Sequence, residues 1–319
     1  MPSSPRPGHR WCISAGRCGH RPLQVLIWFS DIHLIYWRKP MLLKTIAGVS
    51  LGIACMLYLC LGWAVWMVPV AFAGLFLIGL GLAVLFLWIV CARVDLSKPQ
   101  EEDDRFYRSV MYVYIEALIQ LVRVRLHTKG LEKTPKTGRF LLVCNHLCVA
   151  DPGIVLHCFQ KSQLAFLTKK ENYRLPFIGA FMHKILCQPI DRENDRQALK
   201  SIIKCIQLIR EDKVSVCAFP EGYTSKDGKL HPFRSGVFKI AQKTNVPIVV
   251  CTIQGTRELF RNLRHLRHTE VELHLVEVIP PEAYAGLNTV ELGERIYEKM
   301  IGDLGENFRF VPPDSGLPS

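Results

Sequence analysis

His146 and Asp151 stand five residues apart, behind the apolar run 140–144 and ahead of Pro152 and Gly153. A turn over that interval sets a carboxylate against one imidazole nitrogen and leaves the other free to take a proton, the layout of a general base with its orienting partner. The ordinary alternative is that Asp151, next to a proline, caps a helix N-terminus. A second apolar run, 214–219, ends in Pro220, Glu221 and Gly222, so a carboxylate at a strand end either lines a pocket or closes a plain turn. A third, 185–190, leads into Asp191 and Arg192. The planar guanidinium fork of Arg192 suits an anion, whereas an isolated surface arginine is merely solvated. A common site requires the three strand ends to converge.

The elements that must position these residues are legible from periodicity. Residues 105–121 are amphipathic at helical spacing and follow the acidic linker Glu101, Glu102, Asp103 and Asp104. Strands are expected at 122–126, 140–144, 164–168, 185–190, 214–219, 247–253 and 271–278, with helices at 154–159, 177–183, 196–211, 237–244 and 290–304. Strands alternating with helices imply an α/β fold, a mixed, largely parallel sheet flanked by helices. In such sheets ligands bind beyond the carboxyl ends of strands, where the three candidate sites lie.

Ahead of this domain, 46–91 contains no Asp, Glu, Lys or Arg. That is enough for two helices of roughly 20 apolar residues, at about 46–67 and about 71–91, with Pro69 at the turn between them. Basic residues flank both ends (Arg38, Lys39 and Lys44 before, Arg93 and Lys98 after), so both ends of this N-terminal membrane hairpin face the cytoplasm, whether it crosses the bilayer or dips into one leaflet. The organisation expected is a poorly ordered basic extension over 1–40, with Met41 as a possible true start, the hairpin and linker over 41–104, the α/β domain over 105–306 and a flexible tail over 307–319. The 12 cysteines lack any CxxC pair and lie mainly in apolar runs, as small buried hydrophobes of a reducing compartment do. Cys144 and Cys148 flank His146 without further ligands at zinc spacing, and no metal site is expected.

The order hairpin, NHLCVAD (145–151), QPIDR (188–192), FPEG (219–222) and VPIVVCTIQGT (246–256) resembles the glycerolipid acyltransferases, specifically the 1-acyl-sn-glycerol-3-phosphate (lysophosphatidic acid) acyltransferases, over roughly 41–304. The resemblance implies that His146 takes the proton from an acceptor hydroxyl and that Asp151 orients it. It implies that Glu221 and Gly222 belong to an acceptor motif, that Arg192 contacts the acceptor phosphate with Arg234 as a second candidate, and that Pro247 lies on the acyl-donor side. Where the family often continues FPEG with Thr, Arg and Ser, this chain has Tyr223, Thr224 and Ser225. Lys226, Lys229 or Arg234 is then left to supply the missing cation, or the acceptor is another lysophospholipid.

The implied reaction is direct acyl transfer from a thioester, acyl-CoA or acyl-carrier protein, to the sn-2 hydroxyl of lysophosphatidic acid, giving phosphatidic acid. Imidazole titrates near neutrality and suits the proton transfer, and no cofactor is called for. Cys148 as a covalent nucleophile is disfavoured by the direct transfer that the resemblance implies. With 40 Lys plus Arg against 28 Asp plus Glu, the chain carries a net charge of +12, suited to an anionic membrane. Arg257, Arg261, Arg264, Arg267, His265 and His268 form its densest patch, a solvated face or a lipid or donor-phosphate surface. No nucleic-acid motif is present. Two other classes predict different behaviour: a membrane-anchored thioesterase would cleave donor without acceptor, and a silent lipid-binding scaffold would be indifferent to loss of His146. The location expected is the cell membrane, with the domain on its cytoplasmic face.

Overall fold

The computed structural model describes residues 42–191 and 194–311, all within one compact unit, Pro40–Ser319. The expected extension 1–40, Met41, Arg192 and residues 312–319 of the tail lie outside the described residues.

Two apolar helices come first, α1 (Leu42–Leu61) and α2 (Met67–Ala92). At 1.5 Å per residue they are about 30 and 39 Å long, each sufficient to cross the hydrocarbon layer. Only 11% of the most apolar window of each is buried, whereas the core helix of a soluble protein would be mostly buried. Leu59, Leu77 and Trp88 are among the large apolar side chains left outward. The connection lies at 62–66, not at Pro69. Pro69 sits in the first turn of α2, where its missing N–H removes no intrahelical bond.

Helix α3 (Arg105–Leu121) starts at Asp104, whose carboxylate accepts from the N–H groups of Phe106 and Tyr107 at 3.1 and 3.2 Å. It runs back along α2, since the Tyr107 hydroxyl donates to the Val90 carbonyl at 3.1 Å and that of Tyr114 to Ala83 at 2.6 Å. Buried Arg108 locks this helix to the domain: it grips the Asp103 carboxylate and donates to the Leu164 carbonyl at 3.0 Å.

The described strands are β1 (Val124–Lys129), β2 (Leu141–Cys144), β3 (Leu164–Lys169), β4 (Gln188–Ile190), β5 (Ser215–Ala218), β6 (Ile248–Gln254) and β7 (Thr269–Ile279). They form one sheet in the order β1-β7-β6-β2-β5-β3-β4. Every neighbouring pair is parallel except β6 and β7, so the sheet is mixed and largely parallel, as its alternating pattern implies. Two differences from local expectation have backbone causes. Val122 ends α3 and Arg123 takes a left-handed φ of 58°, which delays β1 to Val124. Residues 185–187 unwind α5 (Ile178–Lys184) through a left-handed Leu186, which leaves β4 only three residues.

Side chains alternate between two cores, as a pleated strand requires. Leu141, Val143, Val216 and Val250 face α6 (Asp195–Arg210), α7 (Lys239–Thr244) and α9 (Thr289–Leu304). Leu142, Cys144, Cys217 and Val249 face α3, α4 (Asp151–Cys158) and α5. Both faces are covered, which is why these strands read as unbroken apolar runs. The chain leaves β2 toward α4 on one face and β5 toward α7 on the other. The crevice beyond the carboxyl ends of β2 and β5 is therefore where this topology opens a binding place.

Candidate active site

His146 follows β2 directly and Asp151 opens α4. Ala150, not Asp151, occupies the cap position, and Asp151 is the first helical residue with Pro152 behind it. Its carboxylate turns back into the preceding loop. One oxygen, Oδ2, accepts from the N–H groups of Leu147 and Cys148 at 2.6 and 2.7 Å and lies 2.9 Å from Nδ1 of His146. Asp151 is fully buried, and Oδ1 has no hydrogen-bond partner among the described residues. A carboxylate only accepts, so Nδ1 carries the proton and Nε2 presents a lone pair. Nε2 has no partner among the described residues, and the imidazole side chain is 14% exposed. The ring stacks on Phe219 at 4.3 Å between centroids and 20° between planes, and Phe219 in turn stacks on Phe166. The tautomer is thus set by one neighbour and the ring plane by another.

Glu221, only 1% exposed, joins this loop to the one after β5. Its two oxygens accept from the backbone N–H groups of His146 at 2.8 Å and His231 at 3.0 Å. Burial pushes its carboxyl up to about 7 against the pull of those two bonds, with the Asp151 and Asp227 charges adding to the rise. Both oxygens are engaged by backbone, so the carboxylate braces the His146 peptide. The same two loops meet again where Ser225 N–H donates to the His146 carbonyl at 2.8 Å. Asn145 performs a similar service on the other side. Its side-chain amide pairs with the Ile253 N–H at 2.7 Å and carbonyl at 2.9 Å, extending the β2–β6 ladder beyond Cys144.

Gly222 has φ of 84°, and an added Cβ would stand 2.9 Å from Cδ and Nε of Arg234, so the arginine side chain lies across the glycine. Arg234 is anchored through its N–H to the Pro220 carbonyl at 2.8 Å. Together with Phe219, Pro220 and Gly222 it lines a cleft of about 490 Å³, to which Ile190, Leu199 and Ile202 also contribute. Of the alternative cations, Lys229 is bonded to the Asn307 carbonyl, Lys226 is exposed, and Arg234 lines the cleft.

His146, Asp151, Glu221, Gly222 and Arg234 are therefore brought together at the carboxyl edge. Pro247 is not. It precedes β6 at the amino edge, where its carbonyl accepts from Leu141 N–H at 3.0 Å. Ile248 pairs with Leu141, so the five residues from Leu141 to His146 separate Pro247 from the imidazole by roughly 16 Å of strand. The physical reason is that proline, with no N–H to give the ladder, suits the entry to a strand; the same segment reaches the site through its other end, at Ile253. Arg192 is outside the described residues, although Ile190 and Asp195 on either side line the cleft. Sequence reasoning missed Asn145 and Phe219, which stand inside the quoted motifs, and the buried pair of Arg108 with Asp103, for which no local signal exists.

Comparison with known proteins agrees with the resemblance. A family model described as Acyltransferase matches residues 125–254. A chloroplastic 1-acyl-sn-glycerol-3-phosphate acyltransferase, BAT2 of Brassica napus, is 35% identical over 132 residues, 41% of this chain and 38% of that protein. A 1-acyl-sn-glycerol-3-phosphate acyltransferase of Borreliella burgdorferi is 26% identical over 196 residues, 60% of this chain and 78% of that protein. Among solved structures, the 1-acyl-sn-glycerophosphate (LPA) acyltransferase PlsC from Thermotoga maritima shares the fold, with a TM-score of 0.53 and 19% identity over 86% of this chain and all of that one.

Proposed function

We propose that the chain is an acyltransferase that moves a fatty acyl group from a thioester donor to the sn-2 hydroxyl of lysophosphatidic acid, giving phosphatidic acid. The observation that carries the reading is the His146–Asp151 pair, with Nδ1 held at 2.9 Å and Nε2 left for an incoming hydroxyl. In the first step Nε2 removes the hydroxyl proton as the oxygen attacks the thioester carbonyl. The tetrahedral species then collapses, the C–S bond breaks, and the imidazolium returns its proton to the departing thiolate. Asp151 stabilises the imidazolium between those events.

Burial raises the Cys148 thiol and disfavours the thiolate that a covalent route would need, which supports direct passage of the acyl group to the lipid. Glu221 acts as a positioning residue for the base, and Arg234, with Arg192 as the second candidate, receives the acceptor phosphate. The donor is acyl-CoA or acyl-carrier protein, and the step as written uses side-chain groups alone. Helices α1 and α2 anchor the enzyme in the cell membrane, with the domain on the cytoplasmic face.

Thiol release from acyl-CoA by the detergent-purified full chain, with phosphatidic acid followed in the same tubes, tests this reading. Release should require lysophosphatidic acid, match product formation, and vanish in His146→Ala. Release without acceptor would replace the reading with a thioesterase, and unaltered transfer in His146→Ala would overturn the assigned base.

A further inference from the structure

The segment that follows β6 has no part in the chemistry above. Residues 255–268 hold four arginines, Arg257, Arg261, Arg264 and Arg267, against a single carboxylate, Glu258. All four are exposed, and between them Phe260 and Leu266 stand 51% and 72% exposed. Arg261 pairs with Glu258, and Arg257 donates to the Asp227 carbonyl at 2.9 Å. Arg264 and Arg267 have no partner among the described residues, and none of the carboxylates described there neutralises their charge. Helix α8 (Leu259–Arg264) carries the centre of this patch.

Its place in the fold decides what the patch meets. It lies beyond Gln254, the carboxyl end of β6, and so on the edge of the sheet that carries His146 after β2 and Glu221 after β5. The start of β7 is tied there to the end of α3: Thr269 N–H donates to the Arg123 carbonyl at 3.1 Å, and Arg123 Nη2 lies 3.0 Å from His268 Nε2. Because α3 runs antiparallel to α2, that end of α3 points toward the 62–66 turn, the direction in which the hairpin enters lipid. Leu118 and Leu121 at the end of α3 are themselves 55% and 63% exposed. Basic and apolar side chains thus alternate on one edge, facing the way the hairpin points.

We propose that residues 257–268, with Arg123, form a bilayer-contact face that rests on anionic lipid of the membrane the hairpin enters, Arg264 and Arg267 meeting lipid phosphates and Phe260 and Leu266 entering the headgroup layer. Interleaved arginine and bulky apolar side chains suit an interface whose outer layer is anionic and whose next layer is apolar, a chemistry that a soluble phosphate ligand lacks. The consequence is that the carboxyl edge lies against the surface, and a lipid acceptor reaches His146 without leaving the bilayer. The inference uses the membrane reading of the hairpin and does not depend on acyl transfer.

Hydrogen exchange of the full chain in nanodiscs of phosphatidylcholine, with and without phosphatidylglycerol, tests it. Amides of 259–268 should exchange about ten-fold or more slowly in the anionic discs, the scale expected of several arginines in the surface potential. That gain should vanish in Arg264→Glu/Arg267→Glu and shrink in Phe260→Ser, with peptides of β2 and β6 unchanged as the check on folding. Equal exchange in the two discs would overturn the proposal, as would protection in neutral discs produced by coenzyme A, which would make the patch a donor-phosphate surface. Fast exchange across 42–92 in both discs would overturn it through its premise, whatever the outcome of the acyl-transfer assay.

Discussion

Replacing Asp151 with asparagine separates two things a carboxylate does for a histidine. In the structure Oδ2 takes all three donors, from His146, Leu147 and Cys148, while Oδ1 is buried without a partner among the described residues. The asparagine carbonyl can occupy the Oδ2 position and keep every bond. The reverse orientation would press an NH₂ group against two backbone N–H groups, so the Nδ1–H tautomer is retained. What disappears is a full negative charge beside the imidazolium. At about 4 Å and an effective dielectric near 20 that charge is worth about 4 kcal/mol, or about a thousand-fold in rate. The new NH₂, placed where Oδ1 was, has no acceptor and costs about 1–3 kcal/mol of stability. The assay is acceptor-dependent thiol release, run beside a thermal unfolding scan in the same detergent. A variant within ten-fold of the wild-type kcat would refute the electrostatic role, and an unchanged midpoint would refute the orphaned position.

Three further outcomes are expected. Because the Glu221 carboxyl is raised from an ordinary 4.5 to about 7, its neutral form is favoured by the fold: the stabilisation is complete below pH 4.5 and lost as pH rises through 7, about 3 kcal/mol in all at 1.36 kcal/mol per unit. Thermal midpoints of wild type and Glu221→Gln across that window should diverge, with the wild type falling more steeply toward neutral pH; parallel curves would contradict this. Gly222→Ala forces a side chain into the left-handed region at about 1–2 kcal/mol and pushes on Arg234, so the acceptor KM should rise more than kcat falls. Asn145→Ala leaves both the N–H and the carbonyl of Ile253 unpaired, and should lower stability by about 3 kcal/mol with little change in KM.

Much of this architecture is local and therefore readable. The bounds of α3 coincide with the expected 105–121, and the strands at 140–144, 164–168, 214–219 and 247–253 match within one residue at each end, because burial on both faces writes continuous apolar runs into the chain. The hairpin is equally legible from its charge-free length. Pro69 does not mark the turn because proline breaks a helix only in its interior, and position in the helix is not visible until the helix start is known.

The candidate site divides along the same line. Residue types and short spacing determine by themselves that His146 and Asp151 can pair, since both partners lie within one turn, and that strand ends carry Glu221 and Gly222. Tertiary structure alone decides that the Asp151 carboxylate turns back to the imidazole rather than capping α4, that Glu221 engages backbone amides, that Phe219 supports the ring, and that Pro247 sits at the far edge while Ile253 meets Asn145. The reason is that hydropathy and spacing report what each segment buries, whereas the meeting of residues such as 146 and 221 depends on which strands are neighbours and in what register. Those are properties of the assembled sheet, held by backbone hydrogen bonds that every residue type makes alike.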